Sequence, residues 1–368
     1  MGAAGARKGS SDAQKKRKNR RVERAKQLIR DYGDGERLAN RETSSRTLYL
    51  SEYRQLLEEI GDDDTLKNII VTNKGLRYDY TADNKGKNNR RSKQFVVRMP
   101  TSFHERLADE IDEAIKHWRD AIIEGRARCG PGMCSGQYCT NHNTTEVAKK
   151  LKGQRSESVS NSELAESDKK DPDLSYALEE RPGLVVEIGW AQKSSDLQKK
   201  CKWYIENSKG EVRTVIGVDL SDLYRCYPIS KTQPRGPGKH EHNKARKEDI
   251  AKMVHTTKKN GALGKIFLWR AKINDSTNQV TAVLHENKPQ IFRDENGKAA
   301  CEVACRLSLE DFISPRALEK IGILRNPELA IMSEPLCTRF EAALRAQIRK
   351  DRAREQKNTR EKGSEKDL

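Results

Sequence analysis

The sequence predicts an α/β fold in which a sheet is flanked by helices, between a disordered basic N-terminal tail and a charged C-terminal tail. Residues 184–190 have the pattern of a buried apolar strand, residues 195–206 that of a helix, and residues 212–220 that of a second apolar strand. A strand, a crossover helix and a neighbouring strand in this order are typical of an α/β sheet. Only 34% of the residues are apolar and 35% are charged, which predicts that part of the chain is solvated tail.

The other elements follow from periodicity along the chain. Residues 46–60 place apolar side chains at helical spacing, and the apolar run 68–72 looks like a short strand. Residues 103–122 repeat apolar side chains every three or four positions, which predicts a long helix with one buried face. Further strands are predicted near residues 265–272, 280–285, 289–292 and 300–309.

These patterns divide the chain into five segments. They are a mostly disordered basic tail (1–45) with a short helix near residues 22–29, a lead-in of helix and strand (46–93), a main domain (94–315), C-terminal helices (316–348) and a charged tail (349–368). A Cys- and Ser-rich insertion is expected within the main domain at residues 126–170.

The positive charge is concentrated at the two ends. The net charge is +17; residues 1–30 hold eleven basic and two acidic side chains, and residues 341–368 hold nine and six. Basic tails attract polyanions by neutralising phosphates and releasing counterions, which favours nucleic acid as the partner. The alternative is a tail that only keeps the protein in solution.

The sequence also predicts where the protein is found. It has no run of about 18 apolar residues and no signal-peptide core, so we expect neither a membrane-spanning nor a secreted protein. Its eight cysteines are then expected to be reduced thiols in an intracellular compartment. The basic run from Lys15 to Arg21 is typical of a nuclear import signal and favours the nucleus.

Two acidic residues suggest a catalytic site. Glu187 lies within a run of Leu, Val and Ile, where a charged side chain is expensive to bury without a partner. Asp173 follows a proline fourteen positions earlier. A divalent cation shared by the two carboxylates would resolve that cost, and Mg²⁺ prefers such oxygen ligands. The alternative is a half-buried glutamate paired with an arginine, and an ordinary turn aspartate.

Short motifs around these acids resemble one protein family. They are Pro172-Asp173, residues 182–192 (Pro-Gly-Leu-Val-Val-Glu-Ile-Gly-Trp-Ala-Gln), residues 207–210 (Asn-Ser-Lys-Gly) and residues 215–220 (Val-Ile-Gly-Val-Asp-Leu). The chain thereby resembles a large family of uncharacterised fungal proteins that carry a PD-(D/E)XK nuclease-like domain. The likeness covers about residues 95–315 and is sharpest over 172–220. It implies a restriction-endonuclease-like mixed sheet flanked by helices.

The resemblance also implies roles for individual residues. Asp173 would be the motif aspartate and Glu187 the motif acid, both as Mg²⁺ ligands, with Glu105 on the first helix as a third acid. The chain departs from the motif at Gly189, where a lysine is expected. Gln192 and Lys200 are the candidates to replace it, and the spacing of Asp196, Lys200 and Tyr204 is similar to that of bacterial restriction endonucleases of the same fold.

A second metal site is a weaker candidate. Cys129, Cys134, Cys139 and His142 supply four ligand types that zinc accepts. Their spacing is looser than in common zinc knuckles, so an exposed loop of reduced thiols is the preferred interpretation.

The sequence therefore supports two hypotheses. The first is a Mg²⁺-dependent nuclease that acts on nucleic-acid phosphodiesters, with Asp173, Glu187, Gln192 and Lys200 as its catalytic residues. The second is a catalytically inactive protein of the same fold that serves as a DNA-binding or protein-interaction module.

Overall fold

A computed structural model describes residues 6–33, 43–72, 76–81, 94–98, 102–128, 141–154, 159–160, 168–178, 181–226, 262–274, 276–322 and 324–364. Its α-helices are α1 (Ala6–Gly33), α2 (Leu50–Asp62), α3 (Asp64–Thr72), α4 (Ser102–Ile123), α5 (His142–Lys150), α6 (Ser194–Asn207), α7 (Ser221–Cys226), α8 (Pro315–Ile321) and α9 (Ser333–Ser364). Its strands are β1 (Thr43–Thr47), β2 (Arg77–Thr81), β3 (Gln94–Arg98), β4 (Lys152–Gln154), β5 (Val159–Ser160), β6 (Asp168–Lys170), β7 (Leu174–Ala177), β8 (Pro182–Gly189), β9 (Thr214–Asp219), β10 (Gly264–Asn274), β11 (Gln279–Leu284), β12 (Gln290–Arg293), β13 (Val303–Ser308) and β14 (Glu328–Met332). Short 3₁₀ turns lie at His285–Asn287 and Leu309–Phe312.

The chain forms two compact units: an N-terminal unit of Met1–Pro100 and Ser156–Pro172, and a C-terminal unit of Thr101–Arg155 and Asp173–Leu368. The N-terminal unit has an antiparallel sheet with strand order β1-β3-β2-β6-β5. Helices α1, α2 and α3 bury their apolar faces together with the sheet side chains Tyr80, Phe95 and Val97. β5 and β6 lie within the predicted insertion 126–170, and β3 lies within the predicted main domain, so the boundaries of the units differ from the predicted segments.

The predicted strand at residues 68–72 is wrong, because these residues belong to α3. Asp63 starts this helix: its Oδ1 accepts hydrogen bonds from the backbone N–H groups of Thr65 at 3.0 Å and Leu66 at 3.1 Å. A short apolar run fits a strand and a helix equally well by periodicity. The capping contact, which satisfies backbone donors at the helix start, favours the helix.

The N-terminal tail also differs from the prediction, because its helix is much longer than expected. Residues 6–33 form α1, which buries Val22, Ala25, Leu28 and Ile29 at a spacing of three or four residues. This narrow apolar stripe packs within the N-terminal unit despite the polar composition around it. At the other end, α9 continues to Ser364, into the predicted charged tail 349–368. The predicted C-terminal helical segment 316–348 also contains a strand, β14.

The C-terminal unit is a mixed α/β structure. Its main sheet has the strand order β11-β10-β9-β8-β7-β4, and β12 also pairs with β10. β8 and β9 are parallel and joined by α6, whereas the other neighbours are antiparallel. The predicted helices at 103–122 and 195–206 and the predicted strands at 184–190 and 212–220 are confirmed.

Helices cover both faces of this sheet. Successive strand residues point to opposite faces, so Val186 and Ile188 share one face and Glu187 and Gly189 share the other. Val186 and Ile188 belong to the main apolar core together with the buried face of α4. Glu187 pairs with Gly217 of β9, where an added Cβ would lie 2.8 Å from Sγ of Cys201 in α6. The second face is therefore pressed closely against α6. Among the described residues, no helix is both long and apolar enough to cross a membrane.

Candidate active site

Glu187 is the buried acid around which the site is built. It lies in β8, between β7 and β9, and its exposed fraction is 0%. Oε1 accepts a hydrogen bond from Nζ of Lys200 at 2.8 Å, and Oε2 accepts one from the hydroxyl of Tyr204 at 3.1 Å. Buried carboxylates are tolerated when they are paired and hydrogen-bonded, and both oxygens of Glu187 meet that condition.

Helix α6 supplies both of these partners. Lys200 and Tyr204 are four residues apart and therefore lie on the same face of the helix. Leu197, Cys201 and Ile205 are fully buried and fix that face against the sheet. Lys200 is 7% exposed, so its cation is almost completely withdrawn from water beside the acid. Lys200, one of the two candidates to replace the motif lysine, therefore contacts Glu187 directly.

Asp173 immediately precedes β7 and lies against the backbone of β8 next to Glu187. The register of β7 with β8 begins at the pair Leu174–Val186. The backbone N–H of Asp173 donates to the carbonyl of Val186 at 3.1 Å, and the backbone N–H of Ile188 donates to Oδ2 of Asp173 at 2.5 Å. Asp173 is 1% exposed. The backbone and the carboxylate of Asp173 thus contact the two residues of β8 that flank Glu187.

Gly189, two residues after Glu187, is surrounded closely by other side chains. An added Cβ would lie 2.9 Å from Nε2 of Gln192 and 3.1 Å from Cδ2 of Leu197. Gln192 therefore lies in the space that a side chain at position 189 would use. Its Nε2 is buried and has no hydrogen-bond partner among the described residues. A buried amide donor of this kind is expensive to leave unpaired, and it is available to an acceptor that enters the site.

Two residues of the site were not predicted from the sequence. Tyr204 was noted for its spacing, but not as the second hydrogen-bond donor to Glu187. Asp219 ends β9, pairs with Gly189 and is 3% exposed; its Oδ1 accepts from the backbone N–H of Ser221 at 2.9 Å. The sequence signal that identifies Asp219 is an acidic residue near the end of the apolar run 212–220. That run was predicted to be the strand next to the one that contains Glu187.

Cys201 lies in α6 on the face that meets the sheet, and it is fully buried. Burial raises the pKa of its thiol far above the ordinary value, and the nearby Glu187 carboxylate raises it further. A thiol held neutral in this way is a small apolar side chain rather than a nucleophile.

The structure does not group Glu105 with the two acids as a set of metal ligands. Glu105 lies in the first turn of α4 and is half-buried. Within the described ranges, no three His, Cys, Asp or Glu side chains are arranged to hold a metal ion. For the predicted zinc site, Cys129, Cys134 and Cys139 lie outside the described residues, and His142 is the exposed first residue of α5.

Comparisons of the chain with protein-family models, with curated proteins and with solved structures gave no significant match. The function therefore has to be inferred from the site itself.

Proposed function

We propose that this protein is a Mg²⁺-dependent nuclease of the PD-(D/E)XK type that hydrolyses phosphodiester bonds of nucleic acid, with DNA as the favoured substrate. The observation that supports it best is that Asp173 is hydrogen-bonded to the residues on either side of Glu187, while Lys200 is hydrogen-bonded to Glu187 itself. Two acids and a cation at this point are the residue types that phosphodiester hydrolysis requires.

The architecture of the C-terminal unit adds support. A restriction-endonuclease-like fold implies a mixed sheet flanked by helices, and this unit has a mixed sheet with α4 on one face and α6 on the other. Asp173 immediately precedes β7, and Glu187 lies inside β8. The proposal takes these two residues as the motif aspartate and the motif acid.

Asp173 and Glu187 are the residues that would hold the metal. Both donate carboxylate oxygens, the ligands that Mg²⁺ prefers, so the donor set fits this ion. When bound there, Mg²⁺ would polarise the phosphodiester and lower the pKa of an attacking water. In the structure Lys200 neutralises Glu187 at 2.8 Å, and it is the contact that an incoming cation would displace, since both are positively charged.

Lys200 and Gln192 are assigned to the substrate. A lysine released from Glu187 remains anchored by α6 beside the acids and supplies a positive charge to a phosphate oxygen. Gln192 offers the unpaired Nε2 donor next to Gly189, where it can orient a water or a phosphate oxygen. Together they take the place of the lysine that the motif expects two residues after the acid.

The test is cleavage of plasmid and oligonucleotide DNA by the purified full-length protein with Mg²⁺. We expect Asp173→Ala and Glu187→Ala to abolish cutting while DNA binding in EDTA is retained. Asp196→Asn is the matched control, because Asp196 is an exposed acid in the same unit, on α6. Cutting that survives both alanine substitutions would show that a contaminant is responsible, and the nuclease proposal would fail.

One observation favours the second candidate, a non-catalytic nuclease-fold module that binds DNA or a protein. Glu187 is fully buried and both of its oxygens already accept hydrogen bonds, an arrangement that also suits a purely structural ion pair. A wild-type protein that binds DNA but cuts none with Mg²⁺ or Mn²⁺ would establish this candidate instead.

A further inference from the structure

Helix α1 is anchored to the N-terminal unit by its C-terminal half. Val22, Ala25, Leu28 and Ile29 have exposed fractions of 0 to 1% and belong to the core of that unit. The stretch that precedes Val22 has no comparable apolar stripe: its apolar residues are alanines. The helix thus consists of an anchored half and a polar half.

Three cations of α1 are paired with acids of α2 and of the residue that follows it. Nε of Arg21 lies 2.9 Å from both carboxylate oxygens of Glu52. Lys26 pairs with Glu59 at 2.9 Å, and Arg30 pairs with Asp63 at 3.0 Å. These contacts fix the helix to its own unit. They also neutralise the charges of the three cations.

A second set of cations on α1 is not neutralised in this way. We call it the basic arm, and it consists of Lys15, Lys16, Arg17, Lys18, Arg20 and Arg24. All are exposed except Lys18, which is half-exposed. Among the residues that the structure describes, none of the six has an acidic side chain within 4.0 Å. Like charges four residues apart on a helix repel one another. A bound polyanion would relieve this repulsion by neutralising the cations.

The chemistry of the arm selects one kind of polyanion. Tyr32 is the sole aromatic residue in α1, and it lies outside the arm, so the arm has no platform on which single-stranded bases could stack. It also lacks the Trp, Phe or Leu face by which amphipathic helices enter a membrane surface. Ten helical residues extend about 15 Å. A nucleic-acid duplex presents about nine phosphates over that length, at roughly one charge per 1.7 Å.

We propose that the basic arm binds the phosphate backbone of double-stranded nucleic acid without regard to base sequence. This inference rests on the proposed function in taking nucleic acid as the partner, but it requires no cleavage. It assigns the affinity for duplex to the N-terminal unit, whereas the candidate catalytic acid Glu187 belongs to the C-terminal unit.

The test compares two quadruple variants of the full-length protein. The arm variant is Lys15→Gln, Lys16→Gln, Arg17→Gln and Lys18→Gln. The control variant removes four exposed lysines elsewhere, Lys67→Gln, Lys116→Gln, Lys149→Gln and Lys150→Gln. Glutamine keeps a helix propensity close to that of lysine and arginine. Binding of a short DNA duplex is measured by fluorescence anisotropy in EDTA over a range of KCl concentrations, and thermal unfolding verifies that both variants fold.

We expect the slope of log K against log[KCl] to become shallower by about 3 to 4 in the arm variant, since each phosphate contact contributes about 0.9. In the control variant the slope should stay close to that of wild type, and a duplex of unrelated sequence should give the same result. An arm variant that loses no more than the control overturns the inference. So does tighter wild-type binding to a single strand of equal length or to phosphatidylserine vesicles than to the duplex.

The same measurements separate this inference from the proposed function. If the protein binds duplex through the arm but does not cut with Mg²⁺, the inference about the arm stands and the nuclease proposal fails. If the protein cuts but its affinity for duplex does not depend on the arm, the nuclease proposal stands and the inference about the arm fails.

Discussion

Nζ of Lys200 lies 2.8 Å from Oε1 of Glu187, across a sequence separation of 13 residues and between a helix and a strand. The acid at the centre of the sheet thus receives its cation from α6. At Gly189, two residues after the acid, the space that a side chain would use is occupied by Gln192. The energetic importance of the Lys200–Glu187 pair and the crowding at Gly189 can each be tested.

Loss of Lys200 should strongly destabilise the C-terminal unit. Lys200→Met leaves a buried carboxylate without its cation, which typically costs about 3–5 kcal/mol. All four tryptophans, at positions 118, 190, 203 and 269, belong to this unit, so urea unfolding followed by tryptophan fluorescence reports on it. Lys199→Met is the control, because the side chain of Lys199 is 79% exposed and its loss should cost less than about 0.5 kcal/mol.

The same substitution in the Glu187→Gln background tests the cause. Once the acid is neutral, Lys200→Met should cost much less than it does in wild type. Equal losses in the two backgrounds would mean that Lys200 stabilises the fold by packing, independently of Glu187.

An added methyl group at position 189 should also be costly. In Gly189→Ala the new Cβ would stand 2.9 Å from Nε2 of Gln192 and 3.1 Å from Cδ2 of Leu197. Overpacking of this kind costs about 1–3 kcal/mol. Gln192→Ala opens the space, so we expect the double variant to recover about half of the loss in urea unfolding. If Gly189→Ala were as stable as wild type, Gln192 would not occupy the space next to Gly189.

The central part of the C-terminal unit could be predicted because its signals are local. The strand that contains Glu187 and the helix that contains Lys200 follow from apolar runs and helical spacing within the chain. Glu187 itself was identifiable because a charge within an apolar strand requires a partner.

The remaining features depend on contacts between distant residues. The helix at residues 64–72 is started by a side-chain cap at Asp63, which periodicity does not reveal. The stability of α1 comes from burial of Val22 and Leu28 against other elements, although its composition is that of a solvated tail. Asp219 joins the site only through the parallel register of β9 with β8, since that register pairs it with Gly189.

Asp311 should make the stability of the C-terminal unit depend on acidic pH. Burial alone would raise the pKa of its carboxyl, but hydrogen bonds from Arg270, the backbone of Ser308 and Thr214 hold the pKa below the ordinary 3.8. A folded-state pKa below the unfolded value means that this stabilisation is complete above about pH 4 and is lost as the pH falls through the folded value.

Asp311→Asn should therefore lower the free energy of unfolding at neutral pH and flatten its dependence on pH below about 4. The measurement is urea unfolding by tryptophan fluorescence at a series of pH values, with Asp196→Asn as the exposed control on the same unit. A variant at position 311 that keeps the wild-type pH profile would show that another group governs acid stability.

Binding of Mg²⁺ should stabilise the protein through Asp173 and Glu187 even without nucleic acid. A ligand that binds only the folded state adds about 2.7 kcal/mol at a concentration one hundred times its dissociation constant. We expect Mg²⁺ to raise the thermal midpoint of wild type and of Asp196→Asn, and to leave the midpoints of Asp173→Asn and Glu187→Gln unchanged. For each variant we compare the thermal midpoint with and without Mg²⁺, because a substitution can also lower the midpoint in the absence of the ion. Because no cleavage is measured, a Mg²⁺ shift that persists in both site variants would place the ion elsewhere, whatever the protein does to DNA.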